Sequence, residues 1–230
     1  MLAGFLNFLL NFLIVFGGMC LFMAPFCAVF AYRHREEIRA KHPHFNQFME
    51  RFFTSRESNW LVFTWAAAEA VCWYIIPEFL LFLVIFMRIR RKVDLVKYDL
   101  LGTLFGTLVA IAIRIPEWLF AHVPYVRPKM IEQVDIWYQQ HGVWGLLNQP
   151  FSGVPYKIFT HEAGQYHLFI IWFLIIAIAA RMVRYLVIYG VTVAVYPVVH
   201  KFVQRHYSVL FVVASLIFTG LLMHVVRLYS

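Results

Sequence analysis

The chain has 230 residues, 62% hydrophobic and 14% charged, whereas a soluble domain runs at about 45–50% apolar and about 25% charged. That composition excludes an ordinary soluble domain and predicts a membrane protein. A disulfide scaffold is excluded too, because Cys20, Cys27 and Cys72 are odd in number and all lie in apolar runs.

From the N-terminus, residues 2–31 form an apolar run with no basic residue ahead of it, longer than the roughly 7–15 residues of a signal-peptide core. It predicts a retained transmembrane helix, making 1–31 an N-terminal unit. Residues 32–59 are polar and basic, and within them MERFFTSRESNW has the pattern of an amphipathic helix lying along the membrane surface. His42 and His44, in KHPH, read as solvated loop histidines. Trp60 to Met87 is apolar again but interrupted by Glu69, Pro77 and Glu78. Residues 98–115 are just long enough to span, since a bilayer core needs about 20 residues at about 1.5 Å each. Gly102 and Gly106 form a GxxxG there, which predicts close helix contact, and Arg114 reads as an interface anchor. Residues 116–140 are mixed and proline-punctuated, an extramembrane connection. Gly142 to Gly164 holds Gly145, Pro150, Gly153 and Pro155, too many breakers for a straight span. Two long apolar runs follow, Tyr166 to Val199 and Tyr207 to Val226. The units after 32–59 are therefore a central domain, 60–206, and a C-terminal transmembrane helix, 207–230.

The positive charge, formally +8, is placed by topology. Arg33, Arg35, Arg39, Lys41, Arg51 and Arg56 precede Trp60, and Arg88, Arg90, Arg91, Lys92 and Lys97 follow Met87. Basic blocks beside apolar runs are the positive-inside signature, and no nucleic-acid motif accompanies them, so nucleic acid is excluded as a partner. A single crossing by Trp60 to Met87 would put the two blocks on opposite sides, against that bias. A re-entrant hairpin turning near Ile75 to Pro77 keeps both in the cytoplasm. The same shape suits 142–164, entering from the other face with its turn near Ser152 to Pro155. The expected fold is an all-α integral membrane protein of about four transmembrane helices, with two opposed re-entrant hairpins in an inverted repeat and a surface amphipathic helix.

Non-helical backbone at membrane depth needs shielding by protein or a wet cavity, because an unsatisfied amide group in lipid costs several kcal/mol. Facing hairpins therefore predict a polar cavity lined by Glu69 and by residues near Gly153 and Lys157. Glu69 sits in WAAAEAVCW with no capping role, so it is a candidate to carry a proton. Glu78 follows Pro77 as an acid follows a helix start, leaving capping and function both open. Lys157 either snorkels or presents charge to a phosphate. Arg181 and Arg184, three apart, share a helical face. Counted from Tyr166, Arg181 lies about 22 Å along its helix, where snorkelling to the cytoplasmic interface and substrate binding are both open. His161 and Glu162 suggest a zinc protease, but the fifth position of HEAGQ is Gln165 rather than His. They stay secondary candidates. No GxSxG, HExxH, GxxxxGK[ST] or Asp cluster occurs, so no enzyme, metal or cofactor is expected.

AEAVCWYIIPEFLL resembles the first hairpin of the DedA family (VTT-domain, SNARE-associated Golgi proteins), in which an acid precedes a proline-containing turn and a second acid follows it. HGVWGLLNQPFSGVPYKIFTHEAG resembles the second hairpin, closest to the YqaA-like branch, and RMVRY resembles the basic-aromatic element of the next helix. The resemblance covers roughly residues 60–189. It implies a small multi-pass protein of the bacterial inner (plasma) membrane whose relatives move lipids, some with proton coupling. It makes Glu69 and Glu78 the acidic pair, Gly153 and Lys157 part of the second hairpin tip, and Arg181 and Arg184 the basic pair. Many relatives carry arginine where this chain has Gln149 and Pro155.

Residues and resemblance together give the expected function: a flippase-type transporter moving a lipid with an anionic head group, phospholipid or polyprenyl-phosphate, between leaflets. Glu69 and Glu78 would relay protons, Lys157, Arg181 and Arg184 would hold the head group, and Pro77, Gly153 and Pro155 would shape the hairpin tips. An energy-independent scramblase and a non-transporting envelope or membrane assembly factor are the alternatives. Membrane lipids are the expected partners, and homo-oligomerisation is left open.

Overall fold

The computed structural model describes residues 2–87, 92–166 and 168–230, and no strand occurs among them. The long helix α1 (Leu2–Arg33) is followed by two short ones, α2 (Arg35–Lys41) and α3 (Phe45–Phe53). Next come α4 (Arg56–Val71), an irregular segment 72–76, and α5 (Pro77–Met87). Arg88, Arg90 and Arg91 of the second basic block lie outside the described residues. The chain continues through α6 (Lys92–Ile113), α7 (Glu117–Phe120) and α8 (Pro128–His141). A 3-10 turn (Gly142–Asn148) and α9 (Gln149–Ser152) lead to a second irregular segment, 153–155. Then α10 (Tyr156–Gln165), α11 (Ile170–Arg205) and α12 (Tyr207–Leu228) complete the chain.

Gly4–Arg33, Asp94–Ile113, Ile170–Val199 and Tyr207–Leu228 are long and apolar enough to cross a bilayer. The chain is thus an all-helical, multi-pass membrane protein, and both interruptions fall where proline and glycine place them. One boundary moves. The run read from Tyr166 begins as a helix only at Ile170, because Tyr166 closes α10 with its N–H on the Glu162 carbonyl.

The amphipathic stretch also differs from expectation. MERFFTSRESNW is not one surface helix: α3 ends at Phe53, and the Thr54 and Ser55 hydroxyls donate back to the Arg51 and Phe52 carbonyls. Such side-chain bonds compete with the helical ladder. Its apolar face, Met49, Phe52 and Phe53, is buried in protein, with Phe52 on Phe30 of α1 and Phe53 on Tyr207 of α12.

Gly102 and Gly106 do bring helices together. A Cβ on Gly102 would stand 2.1 Å from the Phe63 carbonyl oxygen, and one on Gly106 would stand 2.3 Å from that of Ala67. Only glycine lets α6 meet α4 at backbone contact.

Contacts fix the levels of the remaining elements. Arg33 pairs with Glu57 at 2.7 Å, joining the last turn of α1 to the start of α4. Beyond α4, the Tyr74 hydroxyl donates to the Ile14 carbonyl, far back along α1, at 2.8 Å. The Trp65 indole N–H closes the break on the Ile75 carbonyl at 2.8 Å. The chain then doubles back: Phe79 meets Phe218 within α12, and Leu83 accepts from the Tyr207 hydroxyl at the start of α12. Segment 153–155 lies by the C-terminal end of α12, where Tyr229 donates to the Ser152 carbonyl and Gly153, at φ +72, faces Val225.

Two apolar clusters fill the bundle, one around Phe52, Trp65 and Tyr207, the other around Phe120, Phe159 and Phe173. Along α4, Trp65 belongs to the first and Ala70 to the second; along α11, Ala177 belongs to the second and Tyr185 to the first. Glu69 and Arg181 sit at that changeover.

Candidate functional site

Arg181 is 0% exposed. It lies about 16 Å into α11 at 1.5 Å per residue, far from either end, so it does not snorkel. Its guanidinium pairs with Glu69, from the last turn of α4, and with Glu78, from the first turn of α5, the latter at 3.3 Å. It also lies over the Tyr156 ring, 4.8 Å from the centroid. Arg184, one turn further along the same face, donates its Nε to the same Glu78 oxygen at 3.0 Å and is 17% exposed at its side chain. One buried cation therefore ties together the two acids that flank the first break. Acids and arginines that the sequence assigned to separate tasks form a single network.

Lys157 is fully buried and points inward, donating to the carbonyls of Cys72 at 3.3 Å and Pro124 at 3.0 Å. Cys72 caps α4, whose last carbonyls and negative dipole end favour an ammonium group. Thr160 donates to the Ala70 carbonyl at 2.6 Å, and the Tyr156 hydroxyl bonds Thr107 at 2.9 Å. These bonds fasten α10, which leaves the second break, onto α4 and α6 beside the first break. Pro77 opens α5, and Pro155 precedes the first residue of α10, so each shapes its turn. Gly153 faces α12. His161 and Glu162 form a separate pair: Nδ1 lies 2.8 Å from Glu162 Oε1, Nε2 lies 3.0 Å from the Ile115 carbonyl, and the ring stacks on Phe120. No cluster of three or more His, Cys, Asp or Glu residues suited to a metal occurs among the described residues.

Sequence reasoning passed over Asp99. With Thr103 and Thr107 it forms a D-x3-T-x3-T on one face of α6, all three buried. That pattern is readable in the sequence but is interleaved with the GxxxG, each threonine following one of its glycines. Asp99 lies within electrostatic reach of Arg181, Glu78, Glu69 and Arg184, yet neither of its oxygens has a protein hydrogen-bond partner. Glu69 Oε1, Glu78 Oε2, Thr103 Oγ1, Arg181 Nε, the Tyr185 hydroxyl and Gln149 Oε1 are likewise buried without one. Leaving a buried polar group unpaired costs about 1–3 kcal/mol, so this concentration needs a reason.

An apolar cavity of about 130 Å³ opens beside the network, lined by Leu81, Leu95, Met182, Tyr185, Leu186 and Tyr189. Each of three helices contributes to both features one turn apart: Glu78 and Leu81 on α5, Asp99 and Leu95 on α6, Arg181 and Tyr185 on α11. An apolar slot thus lies against a charged cluster.

No protein-family model and no solved structure matches the chain. An uncharacterized protein of Histophilus somni, described as an HI0703 homolog, is 36% identical over 52 residues, which make up 23% of this chain and 27% of that protein. The match thus spans about a quarter of that relative's length.

Proposed function

We propose that the chain is a DedA-like transporter that moves a lipid with an anionic head group between leaflets of the bacterial inner membrane, its basic segments cytoplasmic. The observation that carries this reading is the buried Arg181, paired to Glu69 and Glu78 across the first break and set beside an apolar slot. A phosphate entering the network competes with the carboxylates for Arg181 and Arg184, for which bidentate geometry suits it. The displaced carboxylate cannot stay charged without a partner in so dry a place, so a proton must reach the acid network. Head-group binding and proton uptake are then one exchange.

Element lengths support two opposed re-entrant hairpins. With 16, 11 and 10 residues, α4, α5 and α10 rise about 24, 16 and 15 Å, short of the roughly 30 Å hydrocarbon core. The return of α5 to the level of Tyr207 supports entry and exit on one side.

The test is translocation of a fluorescent phospholipid in vesicles containing the full chain, with and without a pH gradient. The expected result is flux that responds to the gradient and is lost in Arg184→Gln. Flux indifferent to the gradient would make the chain a scramblase, and no flux of any anionic lipid would leave an assembly factor.

A further inference from the structure

We infer that Asp99 is the proton-binding acid of this protein. Glu69 and Glu78 are the acids the sequence nominates, but both are held by arginine, which stays protonated in proteins. Asp99 is as deeply buried and has no ion-pair or hydrogen-bond partner in the protein. A bare carboxylate taken out of water into a low-dielectric interior, with no partner, is held there as the neutral acid.

Among the described residues, four charged side chains act on it. From α4 it meets the field of Glu69, from α5 that of Glu78, and from α11 those of Arg181 and Arg184. Elsewhere in the network, Tyr156 of α10 is bonded to Thr107 and lies against Arg181, Lys157 is committed to two backbone carbonyls, and the Tyr185 hydroxyl of α11 is buried without a partner. Thr103, one turn along α6, has a buried and unpartnered hydroxyl. Three acids thus share two arginines, and Asp99 is the one left over.

The step is a proton transfer and nothing else. A proton from water bonds to a carboxylate oxygen of Asp99, neutralising it; when it leaves to water, the new charge draws Arg181 and Arg184 away from Glu78. Proton loading on α6 thereby sets how tightly α5 is held to α11. This deepens the transport reading and rests on it for its purpose, but its test does not require transport.

The test is infrared absorption of the full chain in lipid vesicles at neutral pH. The expected result is a protonated-carboxyl C=O band that shifts when the aspartates are labelled with ¹³C at the side-chain carboxyl and loses one carboxyl's intensity in Asp99→Asn. Labelling needs no substitution, so it reads out even if the variant folds poorly. An absent or unshifted band, or unchanged intensity in Asp99→Asn, overturns the inference. In the same vesicles the ratio of translocation rates with and without a pH gradient should fall to one in Asp99→Asn. Lipid flux failing in the native protein while the band behaves as expected sinks the transport reading alone, and a gradient response that survives in Asp99→Asn sinks the inference alone.

Discussion

Replacing Arg181 by Met keeps an unbranched apolar stem while removing the charge that holds Glu69 and Glu78. Glu78 retains Arg184, but Glu69 loses its ion pair. Removing one partner of a buried pair costs about 3–5 kcal/mol, roughly two to four orders of magnitude in the folding equilibrium at about 1.4 kcal/mol per decade. Removing both partners is close to neutral by the same reasoning, so adding Glu69→Gln to Arg181→Met should recover most of the loss. The cycle of native protein, two single variants and the double variant can be read by reversible unfolding in mixed detergent micelles. Its expected coupling is about 2–3 kcal/mol, the upper part of the range for residues in contact. A coupling below about 0.5 kcal/mol, the scatter of independent sites, would refute the pairing. The double variant also separates folding from function: it should regain stability without regaining lipid flux, and recovered flux would show that Arg181 does not hold the head group.

Two further predictions concern packing and topology. Gly102→Ala and Gly106→Ala should each destabilise by about 1–3 kcal/mol by overpacking, because the added carbon meets backbone rather than a yielding side chain, whereas Gly190→Ala and Gly220→Ala, with open space around them, should not destabilise; equal effects at all four in the same unfolding assay would refute the close approach of α4 and α6. After Cys20, Cys27 and Cys72 are replaced, single cysteines at Arg39 and Arg91 should both resist impermeant labelling from outside intact cells. Labelling at just one of them would mean that the segment between crosses the membrane.

The sequence was most informative where a residue acts alone on its own backbone. Long apolar runs gave four spans, Pro77 and the Gly153–Pro155 group marked the breaks, and Gly102 and Gly106 announced a close contact, because each effect is local or needs only a missing side chain. Partnership is different. Periodicity states which face of α11 carries Arg181 and Arg184, but nothing within that helix says that the face meets residues 69 and 78. Snorkelling stayed open for Arg181 for the same reason, since its neighbours decide where the side chain turns. The amphipathic pattern in α3 reported an apolar face correctly without saying that protein, not lipid, would cover it.

The way the bundle is joined bears on which part of it would move. Helices α4 and α6 meet at backbone contact through glycine, and α10 is fastened to both by Thr160, Lys157 and Tyr156. These contacts are made to backbone carbonyls, to a threonine hydroxyl or by glycine, not through an ion pair. Between α5 and α11 the link runs through Glu78, whose one oxygen receives both arginines while the other has no protein partner. A network whose sole task was to hold the fold would gain by completing those bonds, since half-satisfied buried charges are worse than an apolar core. Here unmet valences fall on Glu78 and Arg181, which tie α5 to α11, and on Glu69, Asp99, Thr103 and Tyr185 of the helices around them, beside the apolar cavity that α5 and α11 share with α6. On the transport reading, α4, α6 and α10 are the frame and α5–α11 is the interface that opens. On that reading a head group or an ionised Asp99 would open it by the same act, taking an arginine from Glu78.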